Sequence, residues 1–401
     1  MPMPVFYWIR AGLAALVMLG GWTGPSFATT HADGKAEAAL IDIYRTIGAA
    51  DLRGALRKSD ALVKAYPHFQ LAQLVHGDLL SAISRPVRHV GDVPGELAQA
   101  AAGNLEALRA ESQLRIAAIR QRPPVDALPA QFIGLSKRNK HAIAVDTAKA
   151  RLYLFENTAK GTRLLADYYI SVGKAGVGKQ VEGDQRTPLG VYFITSNLDP
   201  KSLKDLYGSG ALPVNYPNVL DLRRGKTGGG IWLHGTPSTQ FTRAPQATDG
   251  CVAVANPDLD RIIRTVEIRT TPVLIGKNFR WVRPAELSAE REQWESRLQA
   301  WAAAKGSGQP GILWKFYASD FRADGKDLQA FSRAAQAGLQ QLAGKSVQLN
   351  DLSLIRWTDE AEILVATFGE LKRGDRSGRT VRQYWQKRAN TWQIIYEGAV
   401  G

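Results

Sequence analysis

The hydrophobic period changes twice along this chain, and that change constrains its fold more than any single motif. Ala, Leu and Ile recur at three- and four-residue spacing from Lys35 to Arg122. Short apolar and alternating runs replace them from His141 to Trp281, and after Pro284 helical spacing returns before a last set of strands. With 401 residues the chain is long enough for about two to four domains, each with its own core. The sequence therefore reads as multidomain, with a helical region at 35–127, a mainly β domain at 131–283 and an α+β domain at 286–401. Pro123-Pro124 marks the first linker.

Residues 1–28 read as an export signal rather than as fold. Arg10 and the terminal amine form a thin positive region, Ala11 to Trp22 is apolar, and Ser26-Phe27-Ala28 places small residues at a cleavage site. A run of about 12 apolar residues falls short of the roughly 20 that span a bilayer, so the alternative is an uncleaved anchor rather than a true crossing. Either way the bulk of the chain is expected outside the cytoplasmic membrane, in the periplasm. Export bears on the one cysteine, Cys251, which has no partner for an internal disulfide. In an oxidising compartment it is either a buried, inert thiol or a nucleophile. Six histidines and one cysteine do not build a Cys-rich zinc site.

The stretch around Gly54, Ala55, Leu62, Ala65 and Pro67 resembles a tetratricopeptide-like helical pair, but no 34-residue period follows, so an array is not expected. In the C-terminal segment Trp294, Leu298 and Trp301 share one helical face, and Leu313 to Phe316 and Leu328 to Leu342 suggest further helices. Strands follow at Ser346 to Trp357, Ile363 to Phe368, Val381 to Arg388 and Trp392 to Glu397. This order resembles the nuclear transport factor-like fold, whose curved sheet encloses a pocket. Its aromatic residues are assigned to the core, and no catalysis is assigned there.

The formal charge is +14, and residues 131–284 carry 22 basic against 12 acidic side chains, ten of the fourteen net charges. An anionic partner is expected for this domain. Export and the lack of any nucleic-acid motif argue against nucleic acid. Carboxylate-rich wall peptides and anionic lipid surfaces remain.

Chemistry concentrates between Lys174 and Asn256. His234 ends an apolar strand and precedes Gly235, and Cys251 follows 17 positions later in Thr248-Asp249-Gly250-Cys251-Val252. A thiol becomes a strong nucleophile when a nearby base or cation lowers its pKa, and an imidazole does this. Gly250 lets backbone approach closely, so that amide N–H groups can face an oxyanion. Gly173 to Lys179 has the spacing of a phosphate loop, but Gln180 replaces the closing Ser/Thr, so it reads as a flexible loop at the rim. Gly228-Gly229-Gly230 supplies a hinge or a tight turn, and Asn215-Tyr216-Pro217-Asn218 a lid or an ordinary surface loop.

Four pieces in order resemble the YkuD-type L,D-transpeptidase family: the His141 to Glu156 hairpin, Ser171-Val172-Gly173-Lys174, Arg186 to Tyr192, and Ile231 to Thr236 with Asp249-Gly250-Cys251. The resemblance implies that Cys251 attacks the bond after the L-centre of meso-diaminopimelate in peptidoglycan stem peptides. His234 would be the general base, oriented by the Gly235 carbonyl, and the Cys251 amide would serve the oxyanion hole. It implies no metal and no organic cofactor. Trp232, Thr248, Asp249, Gly250 and Arg243 are the substrate-contact candidates. Two departures stand out, since the common pattern has His before the Gly-Cys pair and Arg two places after the cysteine. This chain has Asp249 and Ala253.

The lost arginine removes a bidentate donor. Arg243, Arg223 or Arg224 would replace it, or each is solvated surface charge. Asp249 binds a substrate amine or caps a turn. The departures resemble a divergent branch that includes L,D-carboxypeptidases, an amidase that frees lipoprotein from the wall, and transpeptidases joining L-alanine to diaminopimelate. One such carboxypeptidase, from helical bacteria, also carries a transport-factor-like domain, which points to cell shape. The expectation is thus a periplasmic cysteine acyltransferase of stem peptides, with lipoprotein or other wall-associated proteins as further partners. The alternatives are a stem-peptide hydrolase and a non-catalytic wall-binding scaffold.

Overall fold

A computed structural model of the chain describes residues 34–372 and 378–400. The expected export signal, 1–28, lies outside the described residues. The helical region comprises α1 (Lys35–Gly48), α2 (Leu52–Ala65), α3 (Gln70–Ser81), α4 (Gly95–Ala100) and α5 (Ala102–Arg120). Asp51 caps α2 by accepting the Gly54 amide at 2.8 Å, which satisfies one of the orphan donors of its first turn. The three- and four-residue spacing read from the sequence is the stripe Leu40, Ile43, Tyr44, Ile47, which is buried with Leu62, Leu71 and Val75.

The central domain contains β1 (Leu128–Pro129), β2 (Phe132–Gly134), β3 (His141–Asp146), β4 (Arg151–Thr158), β5 (Gly161–Gly173), β6 (Gly190–Phe193), β7 (Ala211–Pro213), α6 (Val219–Arg223), β8 (Trp232–His234), β9 (Gln246–Thr248), β10 (Val252–Val254), α7 (Asn256–Thr265), β11 (Pro272–Gly276) and β12 (Trp281–Val282). Its main sheet runs β6-β11-β3-β4-β5-β10-β8-β7, with β9 also paired to β5. Both faces are covered. On β3 and β4, Ile143, Val145, Leu152 and Leu154 enter one core, while Ala142, Ala144, Tyr153 and Phe155 enter another. That is why these strands read as continuous apolar runs. The helix α7 was not anticipated among the strands. Its pattern is short, with Leu259 and Ile262 buried and Pro257 in the first turn.

The C-terminal part holds α8 (Ser288–Gly306), α9 (Pro310–Leu313), the β13 (Arg322–Ala323) and β14 (Lys326–Asp327) hairpin, α10 (Leu328–Leu342), β15 (Val347–Thr358), β16 (Glu362–Lys372), β17 (Arg379–Arg388) and β18 (Thr391–Ala399). Its sheet order is β18-β17-β16-β15-β2. The last strand is a departure from the sequence reading, because Phe132–Gly134 pairs antiparallel with β15 rather than within the central sheet. Alternation along β15 and β16 again divides two cores. Ile355, Trp357, Ile363 and Val365 face the central domain, and Leu354, Leu364, Ala366 and Phe368 face Trp294, Leu298 and Trp301 of α8.

Two polar seams tie the three parts together. Arg115 of α5 is buried against Glu37 at 3.0 Å and Glu111 at 2.8 Å, with its guanidinium carbon 4.0 Å from the Tyr169 ring centroid. Arg151 of β4 reaches Glu37 at 2.6 Å and also pairs with Asp167. On the other side Arg224 holds Asp359 in a fork at 2.6 and 2.8 Å, and Arg223 pairs with Asp320. Arg223 and Arg224 are therefore not substitutes for the missing site arginine, because both are committed to the C-terminal part. Asn215 to Asn218 is structural too: the Asn215 side chain accepts the Phe193 amide, and buried Asn218 caps α6. It does not form a lid.

Candidate active site

Strands β8 and β10 run parallel, with Leu233 beside Val252 and His234 beside Ala253, so Cys251 enters the sheet level with Trp232. The Trp232 amide donates to the Cys251 sulfur at 3.4 Å, and the thiol reaches the Gly230 carbonyl at 3.3 Å. Gly228 and Gly230 have φ of +85° and +66°, so the triple-glycine run makes a tight turn ahead of β8. The turn carrying Cys251 needs glycine as well. Gly250 has φ +126°, and a Cβ there would sit 2.8 Å from the Arg186 carbonyl.

His234 is buried, and its Nδ1 lies 2.7 Å from the Gly235 carbonyl oxygen. A donor at Nδ1 leaves Nε2 with its lone pair, the tautomer a general base requires. Two residues that the sequence did not single out support this arrangement. The Asn256 side chain accepts the Ser209 and Thr236 amides, each at 3.0 Å, and donates to the Thr236 carbonyl at 2.9 Å. A Cβ on Gly235 would come within 2.0 Å of the Asn256 side-chain oxygen. Tyr207 packs edge-on against His234 with centroids 5.2 Å apart, and stacks at a tilt on Trp232 at 4.7 Å. Asn256 opens α7 after a strand, a weak cue in sequence, and Tyr207 closes a single 3-10 turn, Asp205–Tyr207, too short to show a pattern.

Burial dominates the protonation of the pair. It pushes the Cys251 thiol up to about 11, against a smaller lowering by the Trp232 amide. It pulls His234 down to about 4, with the Gly235 carbonyl opposing and the Arg243 charge reinforcing. The free protein therefore holds a neutral thiol and a neutral imidazole at pH 7, rather than the lowered thiol pKa expected from a neighbouring histidine.

The other sequence candidates divide. The Thr248 hydroxyl is buried, donates to the Cys251 carbonyl at 2.7 Å and accepts the Gly250 amide at 3.2 Å, so it shapes the turn that carries Cys251. Asp249 is exposed and neither caps a turn nor stands alone, since Lys174 pairs with it at 3.0 Å and Gln185 donates at 3.3 Å. The glycine loop places Lys179 inside rather than at a flexible rim: it is buried and paired with Asp184 at 2.8 Å. Arg243 is half-buried, and its carbonyl accepts the Tyr169 hydroxyl at 3.0 Å. Among the described residues no cluster of His, Cys, Asp and Glu is arranged to hold a metal ion. No described helix is long and apolar enough to cross a membrane.

Comparison with known proteins gives this geometry a family setting. Residues 140–275 match the YkuD L,D-transpeptidase catalytic domain, and residues 293–398 match the Cds6 C-terminal NTF2-like domain. Among solved structures, Bd1075 of Bdellovibrio bacteriovorus is similar with a TM-score of 0.58 at 25% identity, over 69% of this chain and 98% of that one. The helical cell shape determining protein Pgp2 of Campylobacter jejuni is similar with a TM-score of 0.54 at 21% identity, over 67% of this chain and 95% of that one. No curated protein sequence matches the chain. The chain thus carries a YkuD-type domain followed by an NTF2-like domain, and YkuD domains act on peptidoglycan.

Proposed function

Since residues 140–275 form a YkuD-type catalytic domain, we propose that this chain is an exported L,D-transpeptidase that transfers peptidoglycan stem peptides through a thioester on Cys251. The observation that carries the reading is the His234 imidazole, locked by the Gly235 carbonyl on the strand beside the one that Cys251 opens. Cys251 gives its proton to Nε2 of His234 as its sulfur attacks the carbonyl carbon at the L-centre of meso-diaminopimelate. The Cys251 backbone amide stabilises the oxyanion, while the Gly250 amide stays on the Thr248 hydroxyl. Collapse expels the amine of the following residue, which takes the proton back from His234, and leaves the thioester. An acceptor amine then attacks and loses its proton to His234, which returns it to the departing sulfur, giving a cross-link between two diaminopimelate residues; an L-alanine to diaminopimelate link follows the same steps with the L-alanine carbonyl carbon attacked in place of that of diaminopimelate.

Because both partners are neutral at rest, proton transfer and attack are coupled, and substrate arrival drives the reaction. Capture of the same thioester by water makes the chain an L,D-carboxypeptidase or an amidase that releases bound lipoprotein. Similarity to a helical cell shape determining protein supports a role in cell shape. The deciding experiment is mass spectrometry of defined tetra- and pentapeptide muropeptides incubated with the protein and with Cys251→Ala. Dimers that require Cys251 support transpeptidation, and shortened monomers support hydrolysis. Unchanged peptides in both samples would overturn the enzymatic reading in favour of a wall-binding scaffold.

A further inference from the structure

We propose that Arg243 binds a carboxylate of the stem peptide, and that the helical region presents it by gripping Phe241 and Thr242. This deepens the acyl-transfer reading and rests on it for the identity of the ligand. Between β8 and β9 the chain is irregular, yet Phe241, Thr242 and Pro245 on either side of Arg243 are held. The Phe241 ring packs 4.7 Å from Phe69 and 5.1 Å from Tyr66, and its amide donates to the His68 carbonyl at 3.0 Å. The Thr242 hydroxyl donates to Glu111 of α5 at 3.0 Å. Tyr169 holds the Arg243 carbonyl, and the Pro245 carbonyl accepts the Val172 amide at 2.9 Å.

The Arg243 guanidinium, in contrast, makes no hydrogen bond or ion pair with any described residue. A half-buried guanidinium with its planar donors unspent is suited to a carboxylate, which it meets with two parallel hydrogen bonds. Arg243 belongs to the segment that joins β8, which ends at His234, to β9, which ends three residues before Cys251. The position two places after the cysteine offers no alternative. Ala253 is buried between Ser171 and His234 on neighbouring strands and has no donor to offer.

A stem peptide offers two carboxylates near the scissile bond: the one at the D-centre of diaminopimelate and the C-terminal one of the residue that follows. The test uses the full chain, Arg243→Ala and Arg243→Lys with three tetrapeptides: the free acid, the C-terminal amide and the D-centre amide. Loss of a charged hydrogen-bonded pair predicts a fall in kcat/KM of roughly 10- to 100-fold for Arg243→Ala on the free acid. The unaltered chain loses the same factor on one amide, on which Arg243→Ala loses nothing more, and that amide identifies the carboxylate. Arg243→Lys keeps part of the preference. Phe241→Leu narrows the acid-to-amide ratio, which a purely structural role would leave fixed.

Equal rates for Arg243→Ala and the unaltered chain on the free acid, or an equal fall on all three peptides, overturns the inference while leaving the acyl-transfer reading intact. Calorimetric binding of the same peptides to Cys251→Ala reads the carboxylate preference without turnover. An acid-over-amide preference that vanishes with Arg243→Ala supports the inference even in a chain that turns no peptide over. Absence of that preference overturns it.

Discussion

Alkylation of Cys251 by iodoacetamide tests the resting state most directly. Burial moves the thiol from 9.0 to about 11, so the thiolate population at pH 7.5 is about a hundredfold smaller than for an unperturbed thiol. A more basic thiolate is the better nucleophile, and with a Brønsted slope of about 0.4–0.5 this returns a factor of roughly 6 to 10. The expected net rate is about tenfold below that of a free thiol, before any steric effect. Mass-resolved labelling between pH 6 and 11.5 should show the rate rising tenfold per pH unit with an inflection near 11. His234→Ala should leave this profile in place, because a histidine held near 4 is neutral throughout the range. A plateau reached below pH 8 would refute the reasoning, since it would mean that a thiolate–imidazolium pair already exists in the free protein.

Three further outcomes are expected. Gly235→Ala forces the Asn256 side chain away and should cost about 1–3 kcal/mol in urea unfolding, with loss of turnover as the His234 brace shifts. His234 has a depressed folded pKa, so it contributes stability that is fully present above its unfolded value of 6.5 and is lost as pH falls through about 4. That contribution is on the order of 3 kcal/mol, and His234→Gln should flatten the fall in unfolding free energy between pH 7 and 4. Arg115→Met strands the buried Glu111 without its cation and leaves Glu37 to Arg151 alone, and should destabilise the chain by about 3–5 kcal/mol; a melting temperature unchanged by this substitution would contradict the seam described above.

Much of this architecture was legible in sequence because hydrophobic period reports burial directly. The β3–β4 hairpin, the α8 stripe and the four C-terminal strands all announce themselves by which residues exclude water. Cys251, His234 and Gly235 stood out through the family resemblance rather than through period, and the structure puts the His234 strand beside the one that Cys251 opens, with the Gly235 carbonyl on Nδ1. Pairing across the chain was not legible. Nothing in Arg223 or Arg224 distinguishes solvated charge from an ion pair to a carboxylate far along the sequence. The Thr248 hydroxyl likewise looked free to meet a ligand, but it is buried and bonded within the turn it shapes. The pKa directions were missed for a related reason: proximity of a base is readable from a motif, whereas desolvation depends on everything packed around it.

Strand β2 has consequences for how such a protein can be taken apart. It leaves the linker before the central domain and pairs with β15 at Leu354 and Ile355, so the middle of that edge of the C-terminal sheet is covered by a piece of chain encoded well upstream. A fragment beginning at Pro284 would expose that row of unpaired amides and carbonyls, a template for strand exchange or aggregation. Neither part is a free-standing cassette. Recombination that moves the C-terminal sheet to another protein has to carry this strand with it, or find a new one to close the edge.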